Sequence, residues 1–122
     1  MKAAPVFKAA ASLAFVIAAS AALAHARLEK ATPTAGGTVA SPSEIRLKFS
    51  EGVEARFSGI ALTAAGGAAV PLGQSKVEGD DKSVLVAPIT KALAPGVYTV
   101  HWHAVSTDTH HTQGDFAFTV KP

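Results

Sequence analysis

The sequence contains no cysteine, and its one methionine is the initiating residue, Met1. Without cysteine the chain can form no disulfide bond, no thiolate metal site and no thiol nucleophile. The chain after Met1 offers no sulfur ligand of the kind that soft metal ions prefer. Any metal ion bound by the folded protein must therefore be held by nitrogen and oxygen atoms.

The sequence also lacks any cluster of basic residues. It has 11 lysine and arginine residues against 9 aspartate and glutamate residues, and two of the basic residues, Lys2 and Lys8, lie close to the N-terminus. No stripe of lysine and arginine is present that could follow a phosphate backbone. We therefore expect no nucleic-acid partner.

A long apolar run is missing as well. The apolar stretch at residues 9–22 is rich in alanine and is shorter than the ~20 residues that a membrane-spanning helix needs. It follows two lysines and ends in Ala22-Leu23-Ala24, a cleavage signal of the A-x-A type. This order predicts a secretory signal peptide at residues 1–24 and one exported domain at 25–122, with no membrane insertion. The alternatives are an uncleaved anchor and a cut after Ala26, which also completes an A-x-A pattern.

Alternating apolar and polar residues indicate β-strands in the exported part. Residues 44–50 place Ile45, Leu47 and Phe49 on one face, as in a strand with one buried side. The same alternation recurs in two later segments, residues 97–103 and 115–121. Glycine and proline interrupt the chain at short intervals, which suits tight turns, and no helical apolar stripe follows residue 25. The sequence therefore predicts an all-β domain.

Three local features refine this prediction. The segment Leu93-Ala94-Pro95-Gly96-Val97-Tyr98 has the spacing of a tyrosine corner, although a plain Pro-Gly turn before a core tyrosine is the alternative. Trp102 shares a face with Tyr98, which indicates a core position. Phe57 is out of phase with the residues that follow it, which predicts a bulge at Ser58-Gly59. About seven short strands in a domain of this length predict an immunoglobulin-like β-sandwich.

The exported part contains all five histidines, at positions 25, 101, 103, 110 and 111. Cleavage after Ala24 would make His25 the first residue, with its α-amine and its ring Nδ1 able to chelate one metal ion. An α-amine has a pKa of about 7.7–8, so a metal displaces its proton at little cost near neutral pH. The alternative is a solvated terminal residue without a ligand role.

A second candidate is Asp108-Thr109-His110, between the last two predicted strands. In an extended backbone, residues two apart point the same way, so Asp108 and His110 could reach one ion. An amine, two imidazoles and a carboxylate suit tetragonal Cu(II), and Zn(II) accepts the same atoms. The alternative is that Asp108 caps a turn and His110 is an ordinary surface residue.

The motifs around these candidates extend over the whole exported part. They are His25-Ala-Arg-Leu, Ala31-Thr32-Pro33, Leu47-x-Phe49-Ser50-Glu51-Gly52-Val53-Glu54, Pro95-Gly96-x-Tyr98-x-Val100-x-Trp102, and Val105-Ser106-x-Asp108-x-His110-x-x-x-Gly114-x-Phe116-x-Phe118-x-Val120. In this order and spacing they closely resemble the CopC family of periplasmic copper-resistance proteins.

The resemblance implies a cupredoxin-like, Greek-key β-sandwich or barrel that binds one Cu(II) ion per mature chain. The ligands would be His25, Asp108 and His110, and Glu51 matches a position that approaches the copper in some members. The resemblance also implies an inner-membrane copper transporter of the CopD type as the receiving partner. A monomer is expected. Some members carry a methionine-rich loop for Cu(I), but residues 64–77 contain neither methionine nor histidine, so we expect no Cu(I) site.

The other histidines have no evident role in the sequence. We expect His101, His103 and His111 to be solvated surface residues that pair with no carboxylate. Support of His110 from outside the ligand set is a further option for His103.

These features favour a periplasmic Cu(II)-binding protein of copper resistance that sequesters or delivers copper and catalyses no reaction. One alternative is a copper-dependent oxygenase, since an N-terminal histidine and a second imidazole also occur in polysaccharide monooxygenases. Asp108 would then occupy a coordination position that oxygen chemistry needs open. The other alternative is a metal-free immunoglobulin-like interaction module, because fold alone does not fix function.

Overall fold

The computed structural model describes residues 26–122, which form two β-sheets packed face to face. The nine strands are β1 (Leu28–Thr32), β2 (Thr38–Val39), β3 (Glu44–Phe49), β4 (Gly59–Ala64), β5 (Ala69–Val70), β6 (Lys76–Glu78), β7 (Asp81–Pro88), β8 (Gly96–Val105) and β9 (His111–Val120). The all-β prediction is confirmed. The predicted count of about seven strands is low, because β2 and β5 have two residues each and are too short to show alternation.

The first sheet has the order β1-β3-β7-β6, and the second has the order β2-β9-β8-β4-β5. Neighbouring strands are antiparallel except β2 and β9, which run parallel. Neither sheet closes on itself, so the domain is a sandwich rather than a barrel. The two longest strands, β8 and β9, pair along their whole length and meet at a short connection, residues 106–110.

The core lies between the sheets and follows the predicted alternation. Ile45, Leu47 and Phe49 are fully buried on one face of β3. From the opposite sheet, the indole of Trp102 packs against the ring of Phe49 in a T-shaped arrangement, with 5.2 Å between ring centroids. Trp102 is partly buried and belongs to the inner layer, as predicted. Its cross-strand neighbour in β9 is Gly114.

The tyrosine corner is also confirmed. The hydroxyl of Tyr98 donates a hydrogen bond to the carbonyl oxygen of Ala94 at 2.7 Å. The Tyr98 ring stacks on Phe118 with 5.8 Å between centroids. The tyrosine therefore ties the connection before β8 to the core.

The predicted bulge at Ser58-Gly59 is wrong. Residues Ala55–Phe57 form a 3-10 turn, and β4 begins only at Gly59. From there β4 pairs with β8 in an unbroken register. Phe57 is out of phase because it precedes the strand, and it is 54% exposed. Among residues 26–122 there is no helix long and apolar enough to cross a membrane.

Candidate metal centre

Asp108 and His110 lie in the connection between β8 and β9, and the structure brings their side chains together. The carboxylate Oδ1 of Asp108 is 3.2 Å from the ring Nδ1 of His110. Two donor atoms bound to one ion at about 2.0 Å also lie about 3 Å apart. Both side chains are close to half exposed, so an ion could reach them from solvent. The pair thus has the spacing of two neighbouring ligands.

Asp108 and His110 do not meet in the way that the sequence predicts. The backbone here is not extended, because Thr109 has a positive φ of 71° and its amide donates to the carbonyl of Ser106 at 2.8 Å. The amide of Ser106 in turn donates to the carbonyl of His110 at 2.9 Å. A closed turn therefore brings the two side chains together. The sequence predicts that an extended backbone does this, and that prediction is wrong.

Ser106 holds this turn from inside the protein. It is fully buried, and its hydroxyl donates a hydrogen bond to the Asp108 carboxylate. The amide of His110 donates to the same hydroxyl oxygen at 3.2 Å. The hydrogen bond from Ser106, followed by the contact with His110, lowers the pKa of Asp108 below its usual value. The Asp108 side chain is therefore anionic at neutral pH. No pattern in the sequence marks Ser106 as a residue of the site.

The predicted ligand His25 and the predicted signal peptide, residues 1–24, lie outside the described residues. Ala26, which follows His25 in the chain, is fully buried in the core. Its carbonyl oxygen accepts a hydrogen bond of 3.0 Å from the hydroxyl of Thr112, two residues beyond His110. The start of the described chain is therefore held against the strand that begins at the Asp108–His110 pair.

The weaker candidate, Glu51, lies at the same end of the sandwich. It is half-buried and follows β3. Its neighbour Gly52 accepts a hydrogen bond from the amide of Thr107 at 3.1 Å, and Val53 forms an isolated β-bridge with Ser106. The loop after β3 is thus attached to the turn that carries Asp108. This places Glu51 near that turn without giving it a defined role.

One prediction about the remaining histidines is wrong. His101 does pair with a carboxylate, because its Nδ1 lies 3.0 Å from Oδ1 of Asp115 and its Nε2 lies 3.0 Å from the hydroxyl of Thr63. The partner is directly opposite on β9, a register that the sequence alone did not reveal. His101 thus belongs to a cross-strand network on the outer face.

The two other histidines are exposed, as predicted. The ring of His103 lies over Gly59, so closely that a Cβ atom on that glycine would be 2.8 Å from its Cε1. The ring of His103 therefore lies against β4. His111 is the first residue of β9.

The described part of the chain does not complete a metal site by itself. Within residues 26–122 there is no group of three or more His, Cys, Asp or Glu side chains that could hold a metal ion. The Asp108–His110 pair offers two donor atoms, and a site of four would need further ligands from elsewhere, such as the N-terminal segment.

Comparison with known proteins agrees with the architecture. The model of the CopC domain matches residues 28–121. The chain is 42% identical over 99 residues to protein YobA of Escherichia coli K12, covering 80% of each protein. The crystal structure of PcoC, a methionine-rich copper resistance protein from Escherichia coli, superposes with a TM-score of 0.72 at 36% identity, covering 80% of this chain and 99% of PcoC.

A third match is to a much larger protein. The chain is 29% identical over 98 residues to the copper transport protein CutJ of Bacillus subtilis, covering 80% of this chain but 18% of CutJ. A domain similar to this chain is therefore part of a longer polypeptide in that organism.

Proposed function

This chain belongs to the CopC family of copper resistance proteins, and from that premise we propose that its mature form is a periplasmic protein that binds one Cu(II) ion. The ligands are the α-amine and imidazole of His25, the carboxylate of Asp108 and the imidazole of His110. Glu51 is a weaker candidate for contact with the ion. The protein acts by binding and releasing copper and catalyses no reaction.

One observation carries this proposal. The two predicted ligands Asp108 and His110 lie 3.2 Å apart, at the end of the sandwich where Ala26 is held by Thr112. His25 is joined to Ala26 by a peptide bond, so its Cα lies about 3.8 Å from that of Ala26. The hydrogen bond between Thr112 and Ala26 therefore supports a site in which His25 joins the Asp108–His110 pair.

The burial of Ala26 supports the proposed cleavage after Ala24. Ala26 is fully buried among the core residues, and its carbonyl accepts a hydrogen bond. Cleavage after Ala26 would remove a packed residue together with that hydrogen bond. A cut after Ala24 keeps this contact and creates the amine ligand on His25.

The donor set favours the oxidised ion. Amine, imidazole and carboxylate suit Cu(II), whereas Cu(I) prefers thiolate and thioether sulfur. The mature chain contains no sulfur, since it has no cysteine and Met1 is its one methionine. This differs from PcoC, which is methionine rich. Reduction of the bound ion would therefore weaken its binding and favour release.

Delivery to a membrane copper transporter of the CopD type is the proposed fate of the ion. The match to a segment of the copper transport protein CutJ supports this, because a domain that is fused to a transport protein in one organism can serve the same process as a separate chain in another. We expect the mature chain to act as a monomer.

Export of the whole chain in a bacterium tests the proposal. Periplasmic protein should have the mass of a chain that starts at His25, and it should bind one equivalent of Cu(II). His110→Ala should weaken Cu(II) binding on the order of 100-fold or more, since loss of a ligand exceeds the effect of losing a supporting contact. His111→Ala is the matched control and should bind like the wild type. A different first residue, or unchanged binding by His110→Ala, would refute the proposal.

A further inference from the structure

The first described residues are held to the domain from two sides. Ala26 accepts a hydrogen bond from the hydroxyl of Thr112 in β9, at 3.0 Å. Arg27 exchanges two hydrogen bonds with Ser50, the residue after β3. The Arg27 amide donates to the Ser50 hydroxyl, and the Ser50 amide donates to the Arg27 carbonyl, each at 2.8 Å. The chain is thus fixed to both sheets before β1 begins.

Of these contacts, the one made by Thr112 comes from a side chain of β9, the strand that follows the proposed ligands Asp108 and His110. Thr112 is the second residue of β9 and lies two positions after His110. Its hydroxyl reaches across 86 positions of sequence to Ala26. Backbone pairing of β9 with β8 does not need that hydroxyl, because Thr112 pairs with Ala104 through the main chain. The hydroxyl can therefore be removed without breaking the sheet.

We propose that Thr112 is a positioning residue, whose hydrogen bond to Ala26 keeps His25 within reach of Asp108 and His110. This rests on the proposed function. A terminal residue with no contacts samples many conformations, and ordering it on binding costs free energy. A segment that is already fixed up to Ala26 leaves only His25 to be ordered when the ion binds. Such preorganisation raises affinity without adding a ligand.

The size of the effect follows from the strength of one neutral hydrogen bond. Loss of such a bond corresponds to a change of about three- to tenfold in an equilibrium constant. This is smaller than the loss expected for a ligand, so the two roles can be distinguished by magnitude. A positioning role also predicts a mixed population, in which some bound ions lack the terminal nitrogen.

The experiment uses mature protein that starts at His25, with Cu(II) as the probe. Thr112→Val removes the hydroxyl and keeps the shape of the side chain, whereas Thr112→Ser keeps the hydroxyl. Thr119→Val is the control, because Thr119 lies on the same strand near its other end. Affinity is measured by competition with a chelator, ligand nitrogen by electron paramagnetic resonance, and folding by thermal unfolding. In the metal-free protein, hydrogen exchange of the Arg27 amide reports directly on the segment.

We expect Thr112→Val to weaken Cu(II) binding about three- to tenfold, to add a second spectral species with fewer nitrogen ligands, and to speed exchange at Arg27. Thr112→Ser and Thr119→Val should match the wild type. Wild-type binding and exchange in Thr112→Val, or an equal loss in Thr119→Val, would refute the role of Thr112 and leave the copper site standing. Wild-type protein whose Cu(II) spectrum lacks the terminal nitrogen would instead refute the proposed function, and this inference with it.

Discussion

The buried hydroxyl of Ser106 donates a hydrogen bond to the carboxylate of Asp108 and accepts one from the amide of His110 at 3.2 Å. One side chain without metal affinity of its own thus fixes both members of the proposed ligand pair. Ser106 is fully buried, so water cannot readily take over these hydrogen bonds when the hydroxyl is removed. The arrangement resembles the support that metal ligands commonly receive from neighbouring polar groups.

Replacing Ser106 by alanine should therefore weaken Cu(II) binding without removing a ligand. We expect a loss of about tenfold, at the lower end of the range for lost supporting contacts. Ser83→Ala is the matched control, because the Ser83 hydroxyl donates to Asp81 at 2.5 Å in the other sheet. Chelator competition on both variants measures the effect. Equal affinities for Ser106→Ala and the wild type would show that the hydroxyl does not support the site.

Thr109 occupies a conformation that is unfavourable for a β-branched residue. Its φ of 71° lies in the left-handed region, which asparagine tolerates better than threonine. Thr109→Asn should therefore raise the free energy of unfolding by about 1 kcal/mol. Urea unfolding of the metal-free protein measures this change. A less stable variant would mean that the threonine side chain contributes contacts that outweigh its backbone strain.

The carboxylate of Asp81 makes the stability of the protein depend on pH. It accepts hydrogen bonds from the hydroxyl and the amide of Ser83, at 2.5 and 3.0 Å, and these lower the pKa of Asp81 from its usual 3.8. A lowered pKa means that the contribution is fully present above pH 3.8 and is lost as the pH falls through the lowered pKa. At pH 7, Asp81→Asn should therefore melt at a lower temperature than the wild type.

As the pH falls below 3.8 this difference should shrink, because the wild-type carboxylate becomes progressively protonated and then resembles the amide. Thermal unfolding of both metal-free proteins between pH 7 and pH 3 tests the sign. A difference that grows toward low pH would contradict the assignment.

Gly114 lets the indole of Trp102 lie against β9. A Cβ atom at position 114 would be 2.8 Å from Cζ2 and 3.0 Å from Cε2 of Trp102. Gly114→Ala should thus displace the indole from its T-shaped contact with Phe49 and cost about 1–3 kcal/mol of stability. Trp102 is the one tryptophan of the chain, so its fluorescence should shift together with the unfolding midpoint. An unchanged spectrum and midpoint would show that the packing is looser than these distances indicate.

The sequence predicted the fold where its pattern is local. Alternation placed Ile45, Leu47 and Phe49 in the core, and these residues are fully buried. The spacing before Tyr98 predicted the hydrogen bond to Ala94. Two-residue strands could not be predicted, since pairing across the sheet defines them and they contain too few residues for a pattern. The pattern around Phe57 does not distinguish a turn from a bulge, because both interrupt the alternation.

The sequence pointed to Asp108 and His110, which the structure brings together, but it did not predict how they meet. Asp108 and His110 were expected to meet through an extended backbone, whereas a turn around Ser106 brings them together. The proposed role of Thr112 depends on its hydrogen bond to Ala26, which lies 86 positions away in the sequence. Such contacts depend on which strands begin or end at the same edge of the sandwich, and a local sequence pattern does not contain that information.

The most direct test of the central claim compares two forms of the protein that differ only at the N-terminus: one begins at His25, and the other carries a single extra residue before it. Electron paramagnetic resonance of the Cu(II) forms, with ¹⁵N in the His25 amine, measures whether that nitrogen binds the ion. We predict amine coupling in the first form. In the second form we predict loss of that coupling together with weaker Cu(II) binding, on the order of 100-fold. Identical spectra and affinities would show that copper is held without the terminal amine and would contradict the proposed site.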